Sequence, residues 1–398
     1  MRKLINKLII ATAAAMSLVI FTACVDSDRA REDLPQITRM DRADVAAASA
    51  ATLAGLQTAT GATSGSTVVA DVADDTSNTF YVNEDGVIIF NLWNQTDATH
   101  PISLGLIRFA ELVQELSDGE MMVNIRYGAG NDGDLLAMVN NNQLDAAIIT
   151  IWSAWQSLTP LANLEALPFM FTNYEDAWAA YEGTLGDWVT SNIIVPSGAR
   201  TLGYWTNGLR HFTNNVRPIT VPADMVGLRM RSPQTTTHLA MYEAFGSASL
   251  ALPFGQVHAG LAAGTFDGQD NPLGNIHAAR LYEVQQYLTI SNHMFSSAPM
   301  IASTNFWYSL SAEHQQVLLE ASLLASRYQG ALTVAMETTQ LMQMEAAGVI
   351  VNTVDMTPFI AASIPIWAEH MERYGNDIAT IAARYVGDTN SLAHQFSD

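Results

Sequence analysis

Met121-Met-Val-Asn-Ile-Arg-Tyr127, Leu135-Leu-Ala-Met-Val-Asn140 and Leu144-Asp-Ala-Ala-Ile-Ile-Thr150 follow one another as strand, helix and strand. Units this short leave room for a single helix between neighbouring strands, the arrangement of a mainly parallel α/β sheet. Upstream, Val87–Trp93 is an apolar run of the kind buried on both faces of a sheet. Ile102, Leu106, Phe109, Val113 and Leu116 then recur at helical spacing. Downstream a second set of elements is expected: strands at Thr201–Trp205 and Leu228–Arg231, and helices at Thr235–Phe245 and Phe254–Ala263. Ser311 can cap a helix running to Ala347, with Gly348 as its stop. At 1.5 Å per residue that helix is about 55 Å long, more than one compact lobe needs. The expected fold is therefore two α/β lobes with a long helix lying along both.

Composition narrows the function. The 398 residues suffice for two domains, and the only lysines, Lys3 and Lys7, lie in a leader. Arg2, Lys3 and Lys7 precede the apolar run Leu8–Phe21, which is too short for a spanning helix and suits a secretion signal. It ends in Phe21-Thr-Ala-Cys24, with Cys24 the only cysteine, in the manner of a lipoprotein cleavage and acylation site (residues 1–24). The other reading is a plain secretion signal with an incidental thiol. Residues 25–85 are rich in Ala, Thr, Ser, Gly and Asp and read as a tether. Without the leader, 15 basic residues face 39 acidic ones, a net charge of −24 that disfavours nucleic acid and anionic lipid as partners. A site for an anion must then be local and built from arginine, whose planar fork grips a carboxylate through two hydrogen bonds.

Most catalytic signatures are missing. Gly128-Ala-Gly130-Asn-Asp-Gly133 fits a dinucleotide-binding loop between strand and helix, the basis of an alternative reading as an NAD-dependent oxidoreductase. Asp132 and Asp134 would, however, stand where pyrophosphate must sit, and no acid follows at the ribose-binding spacing. The histidines are scattered and the single cysteine belongs to the leader, so no metal site, cofactor or enzyme activity is expected. Arg210 and Arg231 stand near Gly- and Pro-marked turns, in Asn207-Gly-Leu-Arg210 and Gly227-Leu-Arg-Met-Arg231-Ser-Pro233. Singly, each reads equally well as half of a surface ion pair. Asn271-Pro272 reads equally as an N-cap and first helical residue.

The joint order of these segments is more specific. From about Val87 to Gly387 the chain resembles the solute receptors of tripartite ATP-independent periplasmic (TRAP) transporters, the DctP-like family. The stretches that carry the resemblance are Phe109-Ala-Glu-Leu-Val113, Asn142-Gln-Leu-Asp145, Leu167-Pro-Phe-Met-Phe171, Asn207-Gly-Leu-Arg210, Gly227-Leu-Arg-Met-Arg231-Ser-Pro233, Leu252-Pro-Phe254, Asp267-Gly-Gln-Asp-Asn271-Pro272 and Tyr282-Glu-Val-Gln-Gln-Tyr287. Gln256 and His258 depart from the usual glutamate and tyrosine.

The resemblance implies a two-lobed periplasmic-binding-protein-like (type II) fold, with lobe I from 86–208 plus 290–334 and lobe II from 209–289 plus 335–398. It implies an extracytoplasmic receptor that binds an organic acid between the lobes and delivers it to a small and a large membrane subunit; the long tether before Val87 fits one held by a lipid anchor at Cys24. Arg231 corresponds to the arginine that holds the solute carboxylate, Arg210 to a second arginine near it, Asn271 to an orienting asparagine and Phe254 to a packing aromatic. Asn94, Asp132, Thr150 and Trp152 fall near the pocket. Trp152, Trp155 and Trp205 suggest a solute with an apolar or aromatic body as well as a carboxylate. A solute-sensing surface lipoprotein is the interaction-class alternative.

Overall fold

The computed structural model describes residues 79–387 and 391–397. The leader, Cys24 and most of the expected tether lie outside the described residues. In chain order the principal elements are β1 (Tyr81–Val82), β2 (Ile88–Trp93), α1 (Pro101–Leu116), β3 (Met121–Arg126), α2 (Asp132–Asn140), β4 (Ala146–Ile148), α3 (Tyr174–Tyr181) and β5 (Ala199–Asn214). Then come β6 (Arg229–Ser232), α4 (Thr236–Ala244), β7 (Ala248–Ala251), α5 (Val257–Ala262), β8 (Gly268–Pro272), α6 (Leu273–Ala278), β9 (Tyr287–Ile290), β10 (Phe295–Ser303), α7 (Ala312–Ala346), β11 (Ile350–Thr353) and α8 (Thr357–Tyr374). Regular structure starts before Gly86, because β1 pairs with β2 and Phe80 packs on Phe306.

In the first half, β2 lies parallel to β3 and to β4, in the register that the strand–helix–strand pattern suggests. In the second, β6 is parallel to β7 and β8, and β9 to β11. The sheet as a whole is mixed rather than mainly parallel. β5 runs sixteen residues and is antiparallel to β10 over Ala199–Leu209, then to β8 and β9 over Arg210–Asn214. It therefore serves both halves. The expected strand at Thr201–Trp205 is only its middle, since polar Thr206, Asn207 and Arg210 masked the continuation.

Packing follows the sequence pattern. Ile102, Leu106, Phe109 and Val113 of α1 are buried with Phe90, Leu92, Val123 and Ile148 beneath them. Burying each such side chain is worth roughly 1.5–3 kcal/mol. Ser311 caps α7 through a bond from His314 N, and Gly348 ends it at φ +99°, in the conformation that favours glycine. Along its length α7 touches both halves. Trp205 donates to Ser322 Oγ, Gln329 brackets Thr206 by bonds to its N and O, and Met344 packs with Leu261 and Leu288. Gly105 lets α1 close on this helix, since a Cβ there would stand 2.6 Å from that of Gln329.

Candidate functional site

The parallel strands deliver the expected polar residues to their carboxyl ends, where open α/β sheets bind ligands. Asn94 follows β2, Thr150 lies just beyond β4, Arg231 is near the end of β6 and Asn271 near the end of β8. Pairing of Arg231 with Gln269 puts Arg231, Gln269 and Asn271 on one face of the sheet by the two-residue alternation of strands. Gly208 of β5 packs on Pro272, bringing Asn207 to the same edge.

The two arginines differ in surroundings. Both are buried, with 1% of Arg210 and 2% of Arg231 exposed. Arg210 Nε donates to Asp270 Oδ2 at 2.5 Å and its Nη2 to the Asp270 carbonyl. Tyr242 donates to the other Asp270 oxygen, and His238 and His293 stand 3.6 and 3.3 Å from Oδ2. Burial opposes ionisation of Asp270, yet Arg210 and these histidines hold its carboxyl well below the usual range. Arg231 instead donates from Nε and Nη2 to one backbone carbonyl, Leu252 O, at 2.9 and 2.6 Å. Among the described residues no carboxylate lies within ion-pair distance of it. Burial, and then repulsion from Arg210, push its guanidinium down to about 10. A buried cation without a counterion costs several kcal/mol, so Arg231 is held at an energetic cost that Arg210 avoids through Asp270.

Residues following β2 and β4, with Asn207 of β5, supply acceptors. Asp132 Oδ2 receives bonds from Thr150 N, Thr150 Oγ1 and Gln95 Nε2 at 2.8–2.9 Å, while its Oδ1 has no partner among the described residues. Burial pushes Asp132 up to about 7 despite the bonds from Thr150. Asn94 donates to Ser103 and Asn207 to Thr150 O, and in both the amide oxygen is buried and without a partner. Asn94, Asp132 and Asn207 thus each keep one buried side-chain oxygen without a partner among the described residues.

Other expected residues are used differently. Trp152 packs against Trp155 with the rings tilted by 34°, and the indole N–H groups of Trp152, Trp155 and Trp205 donate to Ser297, Ser197 and Ser322. They belong to the buried core clusters and lend no support to a solute with an aromatic body. Phe254 is half-buried in a 3-10 turn against the cluster of Val257, Leu261 and Met344. Asn271 is not a helix cap: Pro272 occupies that position, and Asn271 bonds Gln269 and Asn275. The Gly128–Gly133 loop is a turn, with Gly128 and Gly130 both at φ +61° and Asn131 capping α2. Asp270, Asn207 and His100 carry roles that residue-by-residue reading missed, although the first two lie inside the motif stretches quoted above.

Comparison with known proteins decides the family. Residues 94–374 match the bacterial extracellular solute-binding protein family 7, DctP. The chain belongs to this family of TRAP solute receptors. It is 29% identical over 262 residues to the 2,3-diketo-L-gulonate-binding periplasmic protein YiaO of Escherichia coli, covering 65% of this chain and 78% of that protein. It is 26% identical over 273 residues to the sialic acid-binding periplasmic protein SiaP of Vibrio cholerae, covering 68% and 84%. A TRAP periplasmic solute-binding protein from Polaromonas bound to D-erythronate superposes with TM-score 0.70 at 25% identity, covering 74% of this chain and 98% of that one. The sugar acid binding protein from Advenella mimigardefordensis in complex with galactonate does so with TM-score 0.70 at 25% identity, covering 75% and 98%. The DctP fold is the two-lobed type II architecture, and its members are receptors rather than enzymes, so the oxidoreductase reading is not favoured. Among the described residues no helix is long and apolar enough to cross a membrane.

Proposed function

We propose that the chain is the extracytoplasmic receptor of a TRAP transporter for a hydroxylated organic acid, held by Arg231. The carrying observation is the buried guanidinium with no acidic partner among the described residues. A carboxylate supplies the missing charge, and closure of the halves strengthens the contact by excluding water. The free oxygens of Asn94, Asp132 and Asn207 favour a solute rich in O–H donors, in keeping with the acids bound by the relatives. Thr150 shapes this edge by fixing Asp132, and Asn271 offers an N–H to the carboxylate. Arg210, neutralised by Asp270, sets the local field rather than gripping the solute. Phe254 and Trp152 serve as packing around the site.

In this reading the closed form docks on a small and a large membrane subunit. The halves divide near 86–208 plus 290–334 and 209–289 plus 335–398. Acylation of Cys24 after leader removal anchors the receptor, a step that intact-mass measurement of the membrane fraction tests.

Titration calorimetry with D-galactonate, D-glucuronate and D-erythronate tests the site. Wild type is expected to bind at least one. Arg231→Lys is expected to bind it poorly, because a point charge cannot replace a planar fork. Wild-type affinity in Arg231→Lys would reject the geometry.

A further inference from the structure

His100 and Asn275 join the two halves of the molecule. His100 caps α1, with Nδ1 accepting from Ile102 N at 3.1 Å, so its proton sits on Nε2. That Nε2 stands 2.6 Å from Asn275 Oδ1, at the start of the second half's α6. With its oxygen so engaged, Asn275 turns its Nδ2 to Asn271 Oδ1 at 3.3 Å. Asn271 Nδ2 in turn donates to Gln269 Oε1, Gln269 Nε2 to Thr213 Oγ1 at 2.8 Å, and Thr213 Oγ1 to Gln285 Oε1 at 2.9 Å. Every member of this row is buried. The row runs in one direction, each amide presenting oxygen toward His100 and nitrogen away from it.

A carboxamide has no orientation of its own; the polarity is imposed where the α1 backbone leaves the imidazole one choice of tautomer. Asn271 shares its face with Arg231, and one of its two N–H hydrogens goes to Gln269. Resting on the carboxylate reading above, we propose that His100 and Asn275 are positioning residues for solute recognition. On closure His100 fixes Asn275, and Asn275 holds the Asn271 amide so that N–H rather than oxygen faces the bound acid. Reversal would set oxygen lone pairs against a carboxylate. Loss of the His100 contact on opening frees the amide, so strong recognition arises only in the closed receptor.

Asn275→Asp separates the two links. An aspartate still accepts the His100 proton but offers Asn271 only an acceptor, turning its amide around. Titrations with D-galactonate, D-glucuronate and D-erythronate should show affinity falling about 30-fold in Asn275→Asp. In His100→Ala it should fall about tenfold, mainly through faster dissociation, and His100→Gln, which keeps an N–H donor, should recover most of that loss. If Arg231→Ala abolishes binding while Asn275→Asp and His100→Ala stay within twofold of wild type, the positioning role is overturned alone. If Arg231→Ala binds normally, the carboxylate reading fails, and the row is judged on the imidazole itself. Burial outweighs Asn275 and Asp97 and pushes His100 down to about 4. Its 15N spectrum at pH 6 is therefore expected to show a neutral ring protonated at Nε2; a cationic or Nδ1-protonated ring would overturn the proposed polarity whatever binds.

Discussion

Arg210 and Arg231 are equally buried and lie on neighbouring parts of one sheet, yet one is finished and the other is not. Arg210 has Asp270 at 2.5 Å, and that carboxylate is further held by Tyr242. Arg231 has a single backbone carbonyl. A paired buried cation is a structural element whose removal strands its partner. An unpaired one is held at an energetic cost that an anion would offset. Burial alone does not separate the two arginines; the counterion does, and its absence at Arg231 among the described residues is what the proposed carboxylate contact rests on.

The largest expected effect tests the finished side. Arg210→Ala leaves Asp270 uncompensated in the interior and should lower folding stability by about 3–5 kcal/mol, read by denaturant unfolding. An unchanged midpoint would erase the distinction between the two arginines. On the unfinished side, Arg231→Ala should lose about 2–5 kcal/mol of acid affinity, roughly 30- to 5,000-fold, while the unliganded protein stays as stable as wild type or gains. Loss of stability comparable to that of Arg210→Ala would mean that Arg231 is structural too.

Smaller effects sharpen the role of the acceptors. Asn94→Ala removes an acceptor for a solute hydroxyl and should cost about 1 kcal/mol, for hydroxylated acids only; equal losses for a deoxy analogue would remove Asn94 from the site. Asp132→Asn tests charge. The folded-state carboxyl is raised to about 7 from the ordinary 3.8, so its stabilising proton is fully present below about pH 4 and lost as pH rises through 7. Wild type should therefore lose melting temperature relative to Asp132→Asn between pH 4 and 7.5. A difference that stays flat over that range would mean Asp132 is ionised throughout. Glu165 and Glu337, also raised by burial, tilt both proteins alike, which is why the difference is the readout.

The parts of this fold written in local chemistry were readable from the chain. Ser311 and Gly348 bound the long helix at both ends, and the strand–helix–strand run from Met121 to Thr150 formed in order. Arg231 was conspicuous because fixed positive charge is so scarce. What was not readable depends on pairing at long range. Nothing local says that β5 continues to Asn214, because the polar residues that break its apolar pattern are covered only once β8, β9 and α7 lie against it. Asp270 could not be matched to Arg210, 60 residues away, before the β5–β8 register put them on one face. His100 and Asn275 are 175 residues apart and meet only when the halves do. The three tryptophans are a related case: their N–H groups pair with serines brought in by other elements, partners that nothing local announces.

A crystal structure of the receptor with a bound sugar acid decides which of the two arginines meets the solute. Both carboxylate oxygens are expected within about 3 Å of the terminal nitrogens of Arg231, with the Arg210–Asp270 pair intact. A carboxylate seated on Arg210 with Asp270 displaced, or an acid bound away from Arg231, would contradict the proposed role of Arg231.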